Sequence, residues 1–331
     1  MTVGMAAVPL KSRVLGSIWG NCVADALGGP VQFMKKGTFA PITDLEYVRP
    51  FQQPAGSYSD DGAMTLALAQ QFIDTTPRLY DHAMAIQYFL EWWKYGRFST
   101  TDEAWDVGVS TSRALKLWQK RGLGGIEETG QMISDKLMRE EFSGNGSLMR
   151  IAPVGVAMFF EPEAAAHIAK VQSQVTHPAP ACVEACQAYT EVICGAMRGR
   201  SKAQLSQMLA AYSFTHPVLV KRFAQYQAIS DWTSKTDADI KSSGWVIDTL
   251  ECALWAFFKF ETWADGALAV VNLGEDSDSA GAVYGALAGI FYGIEAIPQG
   301  WVDQMQNADL IREIAEKFAE KVNRTYQTCA V

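Results

Sequence analysis

Small residues recur at every fourth position in two widely separated segments: Gly16, Gly20, Ala24 and Gly28 near one end, Gly281, Gly285, Gly289 and Gly293 near the other. On an α-helix such positions form one slowly drifting stripe, where missing side chains let another backbone approach closely. Each glycine inside a helix costs about 1 kcal/mol relative to alanine, so the runs predict tight packing of central helices. Helical periodicity also marks Ala83, Ile86, Leu90 and Trp93, then Ile168, Val171 and Val175, then Ile311, Ile314, Phe318 and Val322. The last segment adds Glu313–Lys317 and Glu320–Arg324 at i,i+4 and is expected to be a closing surface helix. Alternating patterns are scarce, and Leu45–Phe51 is the best candidate strand. Loops are expected at Gly28-Gly29-Pro30, at Gly122–Gly130 and over the polar run Thr233–Gly244. With no low-complexity linker, the expectation is an all-α, compact single-domain helical bundle over residues 11–331, after a tail at 1–10.

Composition sets the class. In 331 residues, 49% hydrophobic and 19% charged, a large core is possible and disorder is not expected. With 28 basic and 36 acidic residues the net charge is −8, which argues against nucleic acid as a partner. No uncharged stretch reaches membrane-spanning length, and the longest near the C-terminus, Ser279–Ile294, is rich in glycine. The opening MTVGMAAVPLKSR lacks a basic leader before a long apolar segment, so a secretory signal is not expected. Six cysteines without a Cys-x-x-Cys pair are not a disulfide framework, and Cys182 and Cys186 read as reduced core thiols. The expected compartment is cytoplasmic.

Two acidic clusters precede apolar helical runs. One is Ser57-Tyr58-Ser59-Asp60-Asp61, followed by Ala63–Phe72; the other is Glu275-Asp276-Ser277-Asp278-Ser279, followed by Ala280–Ile294. Ser and Asp favour helix starts, so each cluster alone reads as a cap. Capping needs one side chain, however, and together these supply five carboxylates. Were both helix starts to converge, the like charges would call for a cation. Hard ions prefer carboxylate and hydroxyl oxygens, which favours magnesium or manganese over zinc. A third segment, Ser143-Gly144-Asn145-Gly146-Ser147, has the residues of an anion-cradling nest at a helix start. A fourth, Thr176-His177-Pro178, recurs as Thr215-His216-Pro217, so spacing alone does not select the functional copy. In a fifth, Ser242-Ser243-Gly244-Trp245, the indole suits either a core position or a base-stacking face.

The order of these motifs from Gly20–Gln32 to Gly-Glu-Asp-Ser-Asp-Ser resembles the ADP-ribosylglycohydrolase family, especially its dinitrogenase-reductase-activating type, over about residues 11–300. The resemblance implies an all-α fold and two divalent cations, Mg²⁺ or Mn²⁺. It implies cleavage of the glycosidic bond of ADP-ribose attached to a side chain, arginine N-linked favoured, or to a small acceptor. By matching positions, Ser59, Asp60, Asp61, Asp276, Asp278 and Ser279 would be metal ligands, with Asp60, Asp61 and Asp276 catalytic. Asn145, Gly146 and Ser147 would hold diphosphate and ribose, His177 a polar edge of the ligand, and Ser243, Gly244 and Trp245 the adenine side. Gln32 would lie near the reactive ribose, where the family often carries glutamate. Two further departures are serine for threonine at Ser59 and Ser279, and Gly62 where threonine commonly follows the paired aspartates. Asp25 matches an Asp of the first motif. The implied partner is an ADP-ribosylated protein or ADP-ribose derivative, with neither nucleic acid nor membrane. The alternative is a catalytically silent ADP-ribose-binding or crystallin-like structural protein on the same fold; the retained oxygen ligands favour the enzyme.

Overall fold

The computed structural model describes residues 8–75 and 80–329. Its helices are α1 Leu10–Gly28, α2 Asp60–Asp74, α3 His82–Tyr95, α4 Val109–Arg121, α5 Ile126–Leu137, α6 Ala152–Met158, α7 Pro162–Gln174 and α8 Pro180–Met197. After these come α9 Lys202–Ala210, α10 Pro217–Phe223, α11 Ile229–Ser234, α12 Val246–Lys259, α13 Trp263–Val271, α14 Ser277–Tyr292, α15 Gln299–Gln304 and α16 Ala308–Cys329. Among the described residues there is no β-strand, only three isolated bridges between loops.

The two small-residue stripes meet each other. A Cβ at Gly20 would lie 2.1 Å from the carbonyl oxygen of Gly285, and one at Gly16 2.2 Å from that of Gly289. One at Gly281 would lie 2.7 Å from the carbonyl oxygen of Ala24. Thus α1 and α14 run antiparallel in backbone contact, and every residue of Gly16–Gly28 and Ser277–Ile290 is buried. The contact extends to the end of α1, where Gly28 abuts the backbone of Asp278 and its carbonyl accepts the Ser277 hydroxyl at 3.0 Å. Asn21 donates to the carbonyls of Met149 and Ala282, and buried Arg13 reaches those of Ala196 and Ile290 near the ends of α8 and α14. Gly293 lies past the helix, as its C-cap, at φ +86°.

Around this pair, α2 and α16 pack on α1, α12 and α13 pack on α14, and α6 joins α2 to the α7–α8 pair. One apolar core runs from Val14 to Val322. Ile311, Ile314, Phe318 and Val322 bury one face of α16, and Glu313–Lys317 and Glu320–Arg324 form ion pairs on the other. Cys22, Cys182, Cys186, Cys194 and Cys252 are free and buried. No helix of the described residues is long and apolar enough to cross a membrane.

Three local expectations fail. Leu45–Phe51 forms no strand: Val48 pairs with Gln53 across a tight turn through Arg49–Phe51, and no neighbouring segment extends the bridge. Gly130 lies inside α5 rather than in a loop. On α3 the period holds but the buried face is Ala85, Ile86, Phe89 and Trp92, leaving Leu90 and Trp93 half-buried, because α3 packs on both α2 and α4.

Candidate active site

Where α1 ends, the first turns of α2 and α14 converge. The N-terminal N–H groups of α2 lack partners within the helix and are satisfied partly from outside. Asp25 of α1 accepts the Ser59 N–H at 2.9 Å and the Gly62 N–H at 2.8 Å, while the Ser59 hydroxyl accepts the Asp61 N–H at 3.3 Å. Gly62 is required by its neighbour, since a Cβ there would lie 2.7 Å from the ring of fully buried Tyr58. The Ser59 and Ser279 hydroxyls both approach Asp61 Oδ2, at 3.0 and 3.3 Å.

Carboxylate oxygens of Asp25, Asp61 and Asp278 lie within 4.8 Å of one another, all buried. Asp61 Oδ1 and Asp278 Oδ1 have no hydrogen-bond partner. Asp60, Asp276 and Asp106 complete a group of six. Burial, reinforced by mutual repulsion, pushes Asp60, Asp61 and Asp278 well above the usual carboxylate range. Burial raises Asp25 to about 7 and Asp106 to about 6, although Asp278 and Gln32 lie against Asp106 and favour its charged form. Six acids gathered in one place, four buried and two half-buried, with Asp61 Oδ1 and Asp278 Oδ1 facing no donor, form an oxygen-only cradle that fits a hard cation.

Asp106 carried no signal in the sequence. It sits in a loop at φ +56°, a left-handed conformation that Asp tolerates but that no motif announces. Phe33 (φ +64°) and Glu275 (φ +55°) share this unusual backbone, and the Glu275 N–H donates to the Met34 carbonyl at 2.7 Å. Strained backbone therefore clusters around the acids.

A cleft of about 400 Å³ opens beside them, lined by Asp60, Asp106, Asp276, Asp278 and Ser279 on one side. Phe33, Phe142, Asn145, Gly146, His177 and Gly244 are among the residues that line the rest. Asn145 donates through its side chain to Asp276 and, at 2.9 Å, to Thr249, and through its N–H to the Gly244 carbonyl at 3.1 Å. Gly146 must be glycine because a Cβ would lie 2.7 Å from His177 Cε1. Burial and nearby Arg150 lower His177 to about 3, so the ring is neutral, with Nδ1 2.8 Å from the Thr176 hydroxyl. Arg150, fully buried, holds Gln172 at 2.6 Å and Thr176 at 2.8 Å and thereby fixes the segment carrying His177.

Other expected site residues stand behind this wall. Ser147 pairs with the Ser173 hydroxyl at 2.8 Å, and Ser243 donates to Asp248 at 2.7 Å. Trp245 does not line the cleft: its Nε1 donates to Glu140 at 3.1 Å and the Arg222 guanidinium lies 5.7 Å from its ring centre. Gln32 is buried beside Asp106, its amide oxygen and nitrogen both without a hydrogen bond. Of the two Thr-His-Pro copies, His177 faces the cleft, whereas His216 caps α10 and sits 3.2 Å from Glu140. A roomier cavity, about 650 Å³, is lined by Pro41, Trp255, Phe260 and Leu268 among others and shares no residue with the acidic cleft.

Comparison with known proteins agrees with this arrangement. An ADP-ribosylarginine hydrolase, Tri1, of Pseudomonas putida (strain GB-1) is 28% identical over 309 residues, 93% of this chain and 78% of that protein. The ADP-ribosyl-[dinitrogen reductase] glycohydrolase of Rhodospirillum rubrum is 26% identical, over 91% of this chain and 92% of its own. A solved structure described as an ADP-ribosylglycohydrolase-related protein complex matches with a TM-score of 0.76 at 28% identity, covering 95% of this chain and 99% of that one. The sequence model of ADP-ribosylglycohydrolase matches residues 6–328. With its helical fold, its paired acidic helix starts and this match over nearly its whole length, the chain belongs to the ADP-ribosylglycohydrolase family of hydrolases.

Proposed function

We propose that this protein is a divalent-cation-dependent hydrolase that releases ADP-ribose from a modified arginine side chain. The observation that carries the reading is the convergence of Asp25, Asp61 and Asp278, with one unpartnered oxygen each on Asp61 and Asp278, beside a cleft also lined by Asn145 and His177. Ser59, Asp60, Asp61, Asp276, Asp278 and Ser279 would hold two cations, magnesium or manganese, with Asp25 joining or bracing them. Such an ion supplies the positive charge that grips ribose hydroxyls and acidifies a nearby water. The chain's own groups do the rest. Asp60 and Asp276 line the cleft and would orient the attacking water on the anomeric carbon as an oxocarbenium-like centre develops. Asn145 and the Gly146 turn would seat the diphosphate and ribose. Neutral His177 would hydrogen-bond the ligand through Nε2 without adding charge. Phe33 and Phe142 are the aromatic faces of the cleft and are favoured over Trp245 for stacking the adenine. The arginine linkage is supported by the named activity of the Pseudomonas relative.

The test is ADP-ribose release from arginine- and serine-linked ADP-ribosyl peptides, with Mg²⁺ or Mn²⁺ and with EDTA. Release from the arginine peptide that needs the cation is expected; release undiminished by EDTA would overturn the proposal. Asp60→Asn with Asp61→Asn should lower turnover at least about 10³-fold, on the order of 4 kcal/mol in barrier. Turnover near the wild-type rate would reduce both acids to helix caps.

A further inference from the structure

Phe142 belongs to two concavities. It lines the acidic cleft and also a groove of about 480 Å³ between α4 and α5, walled by Arg113, Lys116, Lys120, Lys136 and Arg139 with Leu117 and Leu137. No acid lines this groove. All five cations are exposed, and among the described residues only Arg139 of the five has an ion pair, with Glu141 at 2.6 Å. Lys116 and Lys120 stand at i,i+4 on α4, where like charges repel and an intervening acid would be stabilising. The Arg113 and Arg139 guanidiniums flank the Phe142 ring at 5.2 and 5.4 Å from its centre, so the basic wall runs to the edge of the cleft. On a chain of net charge −8 such a concentration is a local reversal of sign.

We propose that this groove docks an acidic segment of the ADP-ribosylated protein, next to its modified side chain. The inference rests on the reading of the cleft as a site for protein-linked ADP-ribose. A short acidic run matches the groove's size and charge, and its apolar floor of Leu117 and Leu137 suits side-chain stems. A long polyanion such as nucleic acid would instead overlap the negative field of the rest of the surface. Tethered through the groove, the substrate would bind more tightly and associate faster, with an advantage that salt removes.

Three substrates test this: an arginine-ADP-ribosylated peptide with Asp/Glu flanks, the same peptide with Ser/Gln flanks, and ADP-ribosylarginine itself. The acidic peptide should show a KM lower by about tenfold at low ionic strength, a gap that closes near 0.5 M salt. Lys116→Glu, Lys120→Glu and Lys136→Glu together should abolish the preference and leave turnover of ADP-ribosylarginine unchanged, which also verifies the fold. Equal KM for both peptides, or a preference that survives the triple variant, would overturn the proposal. Binding of the unmodified acidic peptide, followed by fluorescence anisotropy, reads the groove apart from catalysis. If no substrate is cleaved, the functional reading fails, yet peptide binding lost in the triple variant still upholds the groove. A short single-stranded oligonucleotide that competes better than the acidic peptide would mark the groove as a nucleic-acid site and overturn the docking proposal.

Discussion

Asp25 works in two directions at once. Its oxygens satisfy the first N–H groups of α2, and they also belong to the buried triad with Asp61 and Asp278. Burial raises its carboxyl from the ordinary 3.8 to about 7, so the cation-free fold prefers the protonated acid. A folded-state pKa above the unfolded value contributes stability that is complete below the unfolded pKa and is lost as pH rises through the folded one. In EDTA, the melting temperature should therefore fall between about pH 4 and about pH 7, the window set by this shift. Mg²⁺ should flatten the fall, and calorimetry across that range decides it; a cation-free protein that gains stability over the window would refute the assignment. His177 shifts the opposite way, to about 3, through burial. Its ring should stay neutral from about pH 8 to about pH 5, so its Cε1 proton resonance should not move over that interval. A midpoint near 6.5 would mean that the ring is not buried against Gly146.

Helix α1 and helix α14 touch through backbone, so the stripe should punish even a methyl group. Gly20→Ala and Gly285→Ala each place a Cβ 2.1 Å from a carbonyl oxygen, and that overlap should outweigh the gain in helix propensity. A net loss of about 2 kcal/mol or more is expected in urea unfolding. Gly130→Ala meets nothing within 4 Å in the middle of α5 and should stabilise by up to about 1 kcal/mol. Equal effects at Gly20 and Gly130 would contradict the packing described. Much of this level was legible in the sequence, because period and glycine spacing are properties of one helix. That the two stripes would face each other was not, since nothing local pairs residue 20 with residue 285. The same limit explains Asp106, whose position depends on a left-handed loop residue, and Leu45–Phe51, whose alternation found no second strand. Asp60, Asp61, Asp276 and Asp278 were legible as acids at helix starts; the Asp25 cap across α1 and α2 was only a motif match until the helices met.

At the scale of the molecule, six carboxylates packed at one end of the central pair leave the cation-free chain with a concentrated charge that only an ion or protons relieve. Millimolar Mg²⁺ or Mn²⁺ at pH 8 should therefore raise the melting temperature by mass action on the folded state, and Asp60→Asn with Asp61→Asn should abolish most of that rise. A rise equal in the variant would place the ion elsewhere. The central pair also governs when this state can exist at all. Gly28 and its partner Ser277 are 249 residues apart, and α14 ends at Tyr292. On the ribosome, α1 emerges well before α14, and its glycine face waits for some 249 further residues before it finds the helix that covers it. Neither the core nor the acidic cradle can close on a growing chain that has not yet delivered α14, so α1 needs covering by other means until α14 is made, and the acids come together only then.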